Sequence, residues 1–168
     1  MRIYAVDPSK NHDAFMCALQ AAGIYVTVGL LADCAGCGIG AWVGVDAEPP
    51  LCYPASVKAR GQMVITAFAK YDNVFAFSAG NEVTIYADDG TTNTPRQINA
   101  PCQKKFVRDM RQFVTACSGG LLPRAVPIGV ENWDGNAQTF DQHAYYHCRY
   151  VLRSFVTPTR LHEQFDTS

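Results

Sequence analysis

Four short β-rich runs alternate with helical stripes along this chain of 168 residues, and that alternation constrains the fold most. Arg2–Val6 is the first run, ended by Asp7-Pro8. A helix is predicted from about His12, with Asn11 as its N-cap. Phe15, Met16, Leu19 and Ala22 keep helical spacing there, and Gly23 fits the position just past a helix end. Ile24–Val28 is the second strand. Residues 29–56 are rich in Gly, Pro and Cys and show no clean period. Val57, Val64, Ile65 and Phe68 share one helical face, weakened by Gly61. Val74–Ser78 is the third strand. Asn99-Ala100-Pro101 reads as a helix start with Pro in the first turn. The stripe Phe106, Met110, Phe113, Val114 and Cys117 follows, stopped by Gly119-Gly120. Ala125–Val130 is the fourth strand, and Gln138–His147 suits a further helix. Strands alternating with helices imply a parallel sheet. Four β/α units are half of an eight-fold barrel, which typically needs about 250 residues. They could equally build a small doubly wound domain.

Composition narrows the classes of function. Hydrophobic residues are 48% and charged residues 17%, so the chain is globular. The formal net charge is -1 and no basic block stands out, which argues against nucleic acid or an anionic membrane as partner. No run approaches the roughly 18 apolar residues of a spanning helix. The N-terminus turns polar too quickly for a signal peptide. Seven cysteines are many for a reducing compartment and odd for a completed disulfide set. Cys117, on an apolar helical face, reads as a buried thiol. No Asn-x-Ser/Thr acceptor is present.

The chemistry concentrates at Gly80-Asn81-Glu82-Val83, which closes the apolar run 73–79. It presents a carboxylate and an amide at the C-terminal end of a strand, where (β/α) barrels keep catalytic groups. A glutamate there suits acid/base work, with Asn81 reaching a sugar hydroxyl. A solvated Glu opening a loop is the plainer alternative. Other motifs are weaker. Cys34-Ala-Gly-Cys37 has redox or zinc spacing but lacks a second pair. Gly36-Cys-Gly38-Ile-Gly40 is wrongly spaced for a dinucleotide loop. His143 and His147 have zincin spacing, yet Ala144 stands where those proteins have Glu. Asp109 and Arg111 read most simply as a solvated helix face. No metal site and no cofactor are expected.

An ordered set of segments carries a family resemblance. They are Arg2-Ile-Tyr-Ala-Val-Asp-Pro8, Asn11-His-Asp13 with Met16-Cys17, and Ala22-Gly-Ile-Tyr-Val26. Ala67-Phe-Ala-Lys-Tyr-Asp-Asn73, Ala79-Gly-Asn-Glu-Val83, Arg108-Asp-Met110 and Val126-Pro-Ile-Gly129 follow. Together they resemble the fungal cell-wall β-1,3-glucanosyltransferases of glycoside hydrolase family 72, over about residues 1–30 and 64–148. The resemblance implies a partial (β/α)8 barrel of roughly four β/α units, with 31–60 a divergent insertion, intron-derived in one reading, and 149–168 an unmatched tail. It implies retaining transglycosylation between β-1,3-glucan donor and acceptor chains, with two carboxyls about 5–5.5 Å apart. Glu82 then matches the acid/base, Asn81 its sugar-binding neighbour, Tyr4 an aromatic substrate contact and Asp134 a substrate-binding carboxylate. Thr139 replaces that carboxylate's partner Arg, and Gly29 stands where the family usually has Asp.

The resemblance also implies a GPI-anchored cell-surface location, through signals this sequence does not contain. Glu131 and Glu163 sit in no matching nucleophile motif. The expectation is therefore a truncated catalytic domain, inactive as written. A non-catalytic β-glucan-binding remnant and a small redox protein using Cys34 and Cys37 are the alternatives. Cys17 and Cys148 fall at family disulfide positions, while Cys34, Cys37, Cys52, Cys102 and Cys117 have no counterpart.

Overall fold

The computed structural model describes residues 1–31, 51–81 and 94–131, with 94–100 described by backbone alone. Within them run β1 (Arg2–Ile3), α1 (Asp13–Ala21), β2 (Val26–Gly29), α2 (Ala55–Phe68), β3 (Val74–Asn81), α3 (Thr94–Cys117) and β4 (Ile128–Glu131). The strands form one sheet in the order β1-β2-β3-β4, and every neighbouring pair is parallel. The expected alternation is thus observed, with strand ends displaced by a few residues. The expected helix Gln138–His147 lies outside the described residues.

The first helix stops as the sequence suggests. Gly23 takes φ +70, and Ile24 N–H reaches Leu19 O while Gly23 N–H reaches Gln20 O. That crossed pair satisfies the last carbonyls of α1. At its start His12, not Asn11, holds the N-cap position. Asn11 still accepts from Asp13 N–H through Oδ1 at 2.7 Å, so its side chain caps one residue early.

The third helix departs further from expectation. It begins at Thr94, so Pro101 lies inside the helix and not in its first turn. The Pro costs the helical ladder one N–H donor. The next residue, Cys102, is joined to Cys52 by a disulfide, which the sequence did not reveal. The tie anchors α3 to the segment entering α2.

Side chains sort by strand period. Val26, Val28, Leu30, Phe77, Ile128 and Val130 are buried in one core with Val57, Val64, Ile65 and Phe68 of α2 and Phe106, Met110 and Val114 of α3. The alternate positions face away from the helices: Arg2 and Tyr4, Thr27 and Gly29, Ala76 and Ser78, Gly129 and Glu131. The β2–β3 register shifts between Val26 and Thr27, where β3 carries the extra residue Phe75.

The two outer strands are also joined by side chains: Arg2 of β1 and Glu131 of β4 meet at 3.0 Å across the helix-free face.

Candidate active site

Four expected or neighbouring site positions lie at the carboxyl ends of the strands. Tyr4 directly follows β1, Gly29 ends β2, Asn81 ends β3 and Glu131 ends β4. Asn81 is the register partner of Glu131. Glu82 and Asp134 lie outside the described residues, as do Cys34, Cys37, Thr139, His143 and His147. Glu82 follows Asn81 directly in sequence.

The helix-free face below these ends carries small residues, Gly29, Ala76, Ser78 and Gly129, and Ala76, Ser78 and Gly129 are buried there. Ser78 donates through Oγ to Gly80 O at 3.2 Å, tying down the last turn before Asn81. Gly29 has a steric reason to lack a side chain. A Cβ there would fall within the contact envelope of the Tyr4 carbonyl oxygen.

Tyr4 is 53% exposed, and Asn81 is exposed as well. A sugar contact needs that exposure: an aromatic face packs on a pyranose ring only where it is open. The Arg2 guanidinium lies over the Tyr4 ring, 4.1 Å from its centroid. Its other side meets Glu131, which is only 7% exposed. Sequence reasoning passed over both residues. Arg2 was read only as part of a strand, and Glu131 only as lacking a motif. The available signal was the two-residue period, which puts Arg2 on the face of Tyr4 and Glu131 on the face of Gly129.

Asp109 corrects the expectation of a solvated face. It is buried and accepts from the Tyr53 hydroxyl at 2.8 Å. Lys58, Lys105 and Arg108 approach the same carboxylate at 3.9, 3.6 and 3.3 Å. Burial pushes the Asp109 carboxyl up, but the Tyr53 hydrogen bond and the three cations outweigh it and leave it below its ordinary value. Burial and then the bond to Asp109 push the Tyr53 phenol far up. Arg111, read with Asp109, is partly buried and donates to Ile128 O at 3.2 Å. Both residues brace the helix layer behind the sheet. Tyr53 emerges from an aperiodic stretch, so spacing gave no hint that it would reach α3.

Among the described residues no cluster of three or more His, Cys, Asp and Glu could hold a metal ion. No described helix is long and apolar enough to cross a membrane.

A parallel sheet backed by helices, with an exposed aromatic ring and an exposed amide at its strand ends, defines an α/β protein built from successive β/α units. The sequence profile of the family described as glucanosyltransferase, glycoside hydrolase family 72, matches residues 1–155. The chain belongs to that family. It is 31% identical over 156 residues to 1,3-beta-glucanosyltransferase GAS2 of Saccharomyces cerevisiae, covering 92% of this chain and 24% of that protein. It is 34% identical over 146 residues to 1,3-beta-glucanosyltransferase gas1 of Schizosaccharomyces pombe, covering 87% of this chain and 23% of that protein. The solved structure of Saccharomyces cerevisiae Gas2p with laminaritriose and laminaritetraose matches with TM-score 0.58 and 27% identity, over 83% of this chain and 28% of that one. The chain thus spans about a quarter of the length of these curated relatives.

Proposed function

We propose that this chain carries the acid/base half of a β-1,3-glucan transglycosylation site. Glu82 protonates the leaving glycosidic oxygen and later deprotonates the incoming acceptor hydroxyl. Asn81 binds a hydroxyl of the sugar beside the broken bond, Tyr4 packs on the sugar ring, and Asp134 binds substrate further along. The observation that carries this reading is the placement of Tyr4 and Asn81, both exposed, at the carboxyl ends of parallel strands. A relative's complex with laminari-oligosaccharides supports β-1,3-glucan as the ligand class. Cell-surface location with a GPI anchor is part of the same proposal and rests on the family resemblance.

The retaining mechanism needs a second carboxylate, and no glutamate after Glu82 sits in the family's nucleophile motif. Expressed as these 168 residues, the chain is expected to bind laminari-oligosaccharides without elongating them. Incubation with reduced laminari-oligosaccharides, followed by chromatography of the products, tests this. Longer products that vanish with Glu82→Gln would overturn the expected inactivity and would support the acid/base role. Longer products that survive Glu82→Gln would remove Glu82 from the mechanism.

A further inference from the structure

The Arg2–Glu131 contact joins the two outer strands of the sheet across its helix-free face. Such a pair could be a simple brace. Three observations give it a more specific task. Arg2 makes two contacts at once, with the Glu131 carboxylate at 3.0 Å and the Tyr4 ring at 4.1 Å. A guanidinium is planar, so fixing one edge by a carboxylate fixes the plane that stacks on the ring. Glu131 is itself nearly buried and is the register partner of Asn81. The carboxylate therefore sits beside one expected sugar contact and, through Arg2, sets the other.

We propose that Arg2 and Glu131 are a positioning pair for the sugar site: Glu131 orients the Arg2 guanidinium, and the guanidinium holds the Tyr4 ring in its sugar-binding plane. The proposal rests on the reading of Tyr4 as a sugar contact. Gly29, packed against the Tyr4 backbone, offers the ring no side chain to lean on. The Arg2 guanidinium is what stacks on this half-exposed ring. The pair joins the two outer strands, so the bound glucan is expected to run past it and to be read by Tyr4 on one side and Asn81 on the other.

The test uses the full chain in three forms beside the parent: Glu131→Gln, Arg2→Met and the double variant. Laminaripentaose affinity is measured by isothermal titration, and 3-fluorotyrosine at position 4 reports the ring by fluorine NMR. Each single variant is expected to weaken binding roughly tenfold. The double variant should be no weaker than either single one, because the two residues act through one contact. Arg2→Lys keeps the charge but not the planar stack, and is expected not to rescue binding. The Tyr4 fluorine signal should shift or broaden in every variant that unpairs Arg2. Asp13→Asn, far from the sugar site, should change neither readout. Additive losses, rescue by Lys, or an unmoved Tyr4 signal would overturn the positioning role while the binding site itself stood. A parent chain that does not bind laminaripentaose at all would remove the reading of the site, and the proposal with it. Thermal melts separate both results from misfolding, since a variant that merely fails to fold loses its transition.

Discussion

At the residue scale, two carboxylates on the helix side show how local partners set ionisation. Asp13 accepts from the Tyr71 hydroxyl at 2.6 Å, from Lys70 Nζ at 2.9 Å and from Asn11 Nδ2 at 3.1 Å. The Tyr71 bond most of all, then those of Lys70 and Asn11, pull its carboxyl down to about 2. A carboxyl that ionises more readily folded than unfolded stabilises the fold above the unfolded value and ceases to do so as pH falls through the folded one. The contribution is therefore whole above about pH 4 and is lost toward pH 2. Thermal melts at pH 5 and pH 2.5 should show a smaller acid-induced drop for Asp13→Asn than for the parent chain. Equal drops would remove Asp13 from the acid limb. Asp109 presents the opposite setting, since it is buried under three cations. Asp109→Ala leaves the Tyr53 hydroxyl without its carboxylate and is expected to cost about 1–3 kcal/mol in urea unfolding. Tyr53→Phe, which keeps the ring and its edge-on contact with Phe106, should cost less. Neither partnership was legible in the sequence. A carboxylate on a helix looks the same whether its face meets water or a tyrosine 56 positions away.

At the scale of elements, the helices and strands were legible wherever one period dominated. Phe106, Met110 and Val114 keep a clean stripe, and all three are in the core. Gly23 and Gly119 stop their helices with positive φ, as glycine permits. Reading failed where two signals competed. Pro101 after Asn99 and Ala100 looked like a first turn, yet α3 runs through it from Thr94. Gly61 looked like a flaw in α2, and its reason is visible only against α3. A Cβ on Gly61 would come 2.6 Å from Met110 Sδ and 2.8 Å from Phe106 Cζ. The helices approach closely there because one of them lacks a side chain. Gly61→Ala gains up to about 1 kcal/mol of helix propensity but overpacks the contact, at about 1–3 kcal/mol. The methionine can yield and the aromatic ring less so, and the net expectation is a loss near 1 kcal/mol. A variant more stable than the parent in urea unfolding would show that Phe106 can swing clear.

For the whole molecule, alternation told the parallel sheet, but not whether the sheet closes toward a barrel or stays open. The contact between its opposite edges, Arg2 with Glu131, was hidden as well, since no sequence period links the two. The strand-end positions of Asn81 and Tyr4 were legible because both border strand runs. The small residues on the same face, such as Gly129 and Ser78, were not, because they carry no chemical signature. The disulfide was the other long-range feature hidden from spacing. Cys52–Cys102 joins residues 50 positions apart and encloses α2, β3 and the start of α3 in one covalent loop. A closed loop of that length restricts the unfolded chain, and its loss is expected to cost about 2–4 kcal/mol. It also suits the oxidising surroundings that seven cysteines first suggested. Cys52 has φ +65, an arrangement costly for any residue but glycine, so its backbone and its crosslink can be separated. Cys102→Ser removes the crosslink alone, whereas Cys52→Gly removes it and relaxes the backbone. Both variants should melt below the oxidised parent, with Cys52→Gly the less affected, and reductant should lower the parent while leaving the two variants unmoved. Parent melts that ignore reductant would mean that the core around Phe106 and Tyr53 holds this loop without its covalent tie.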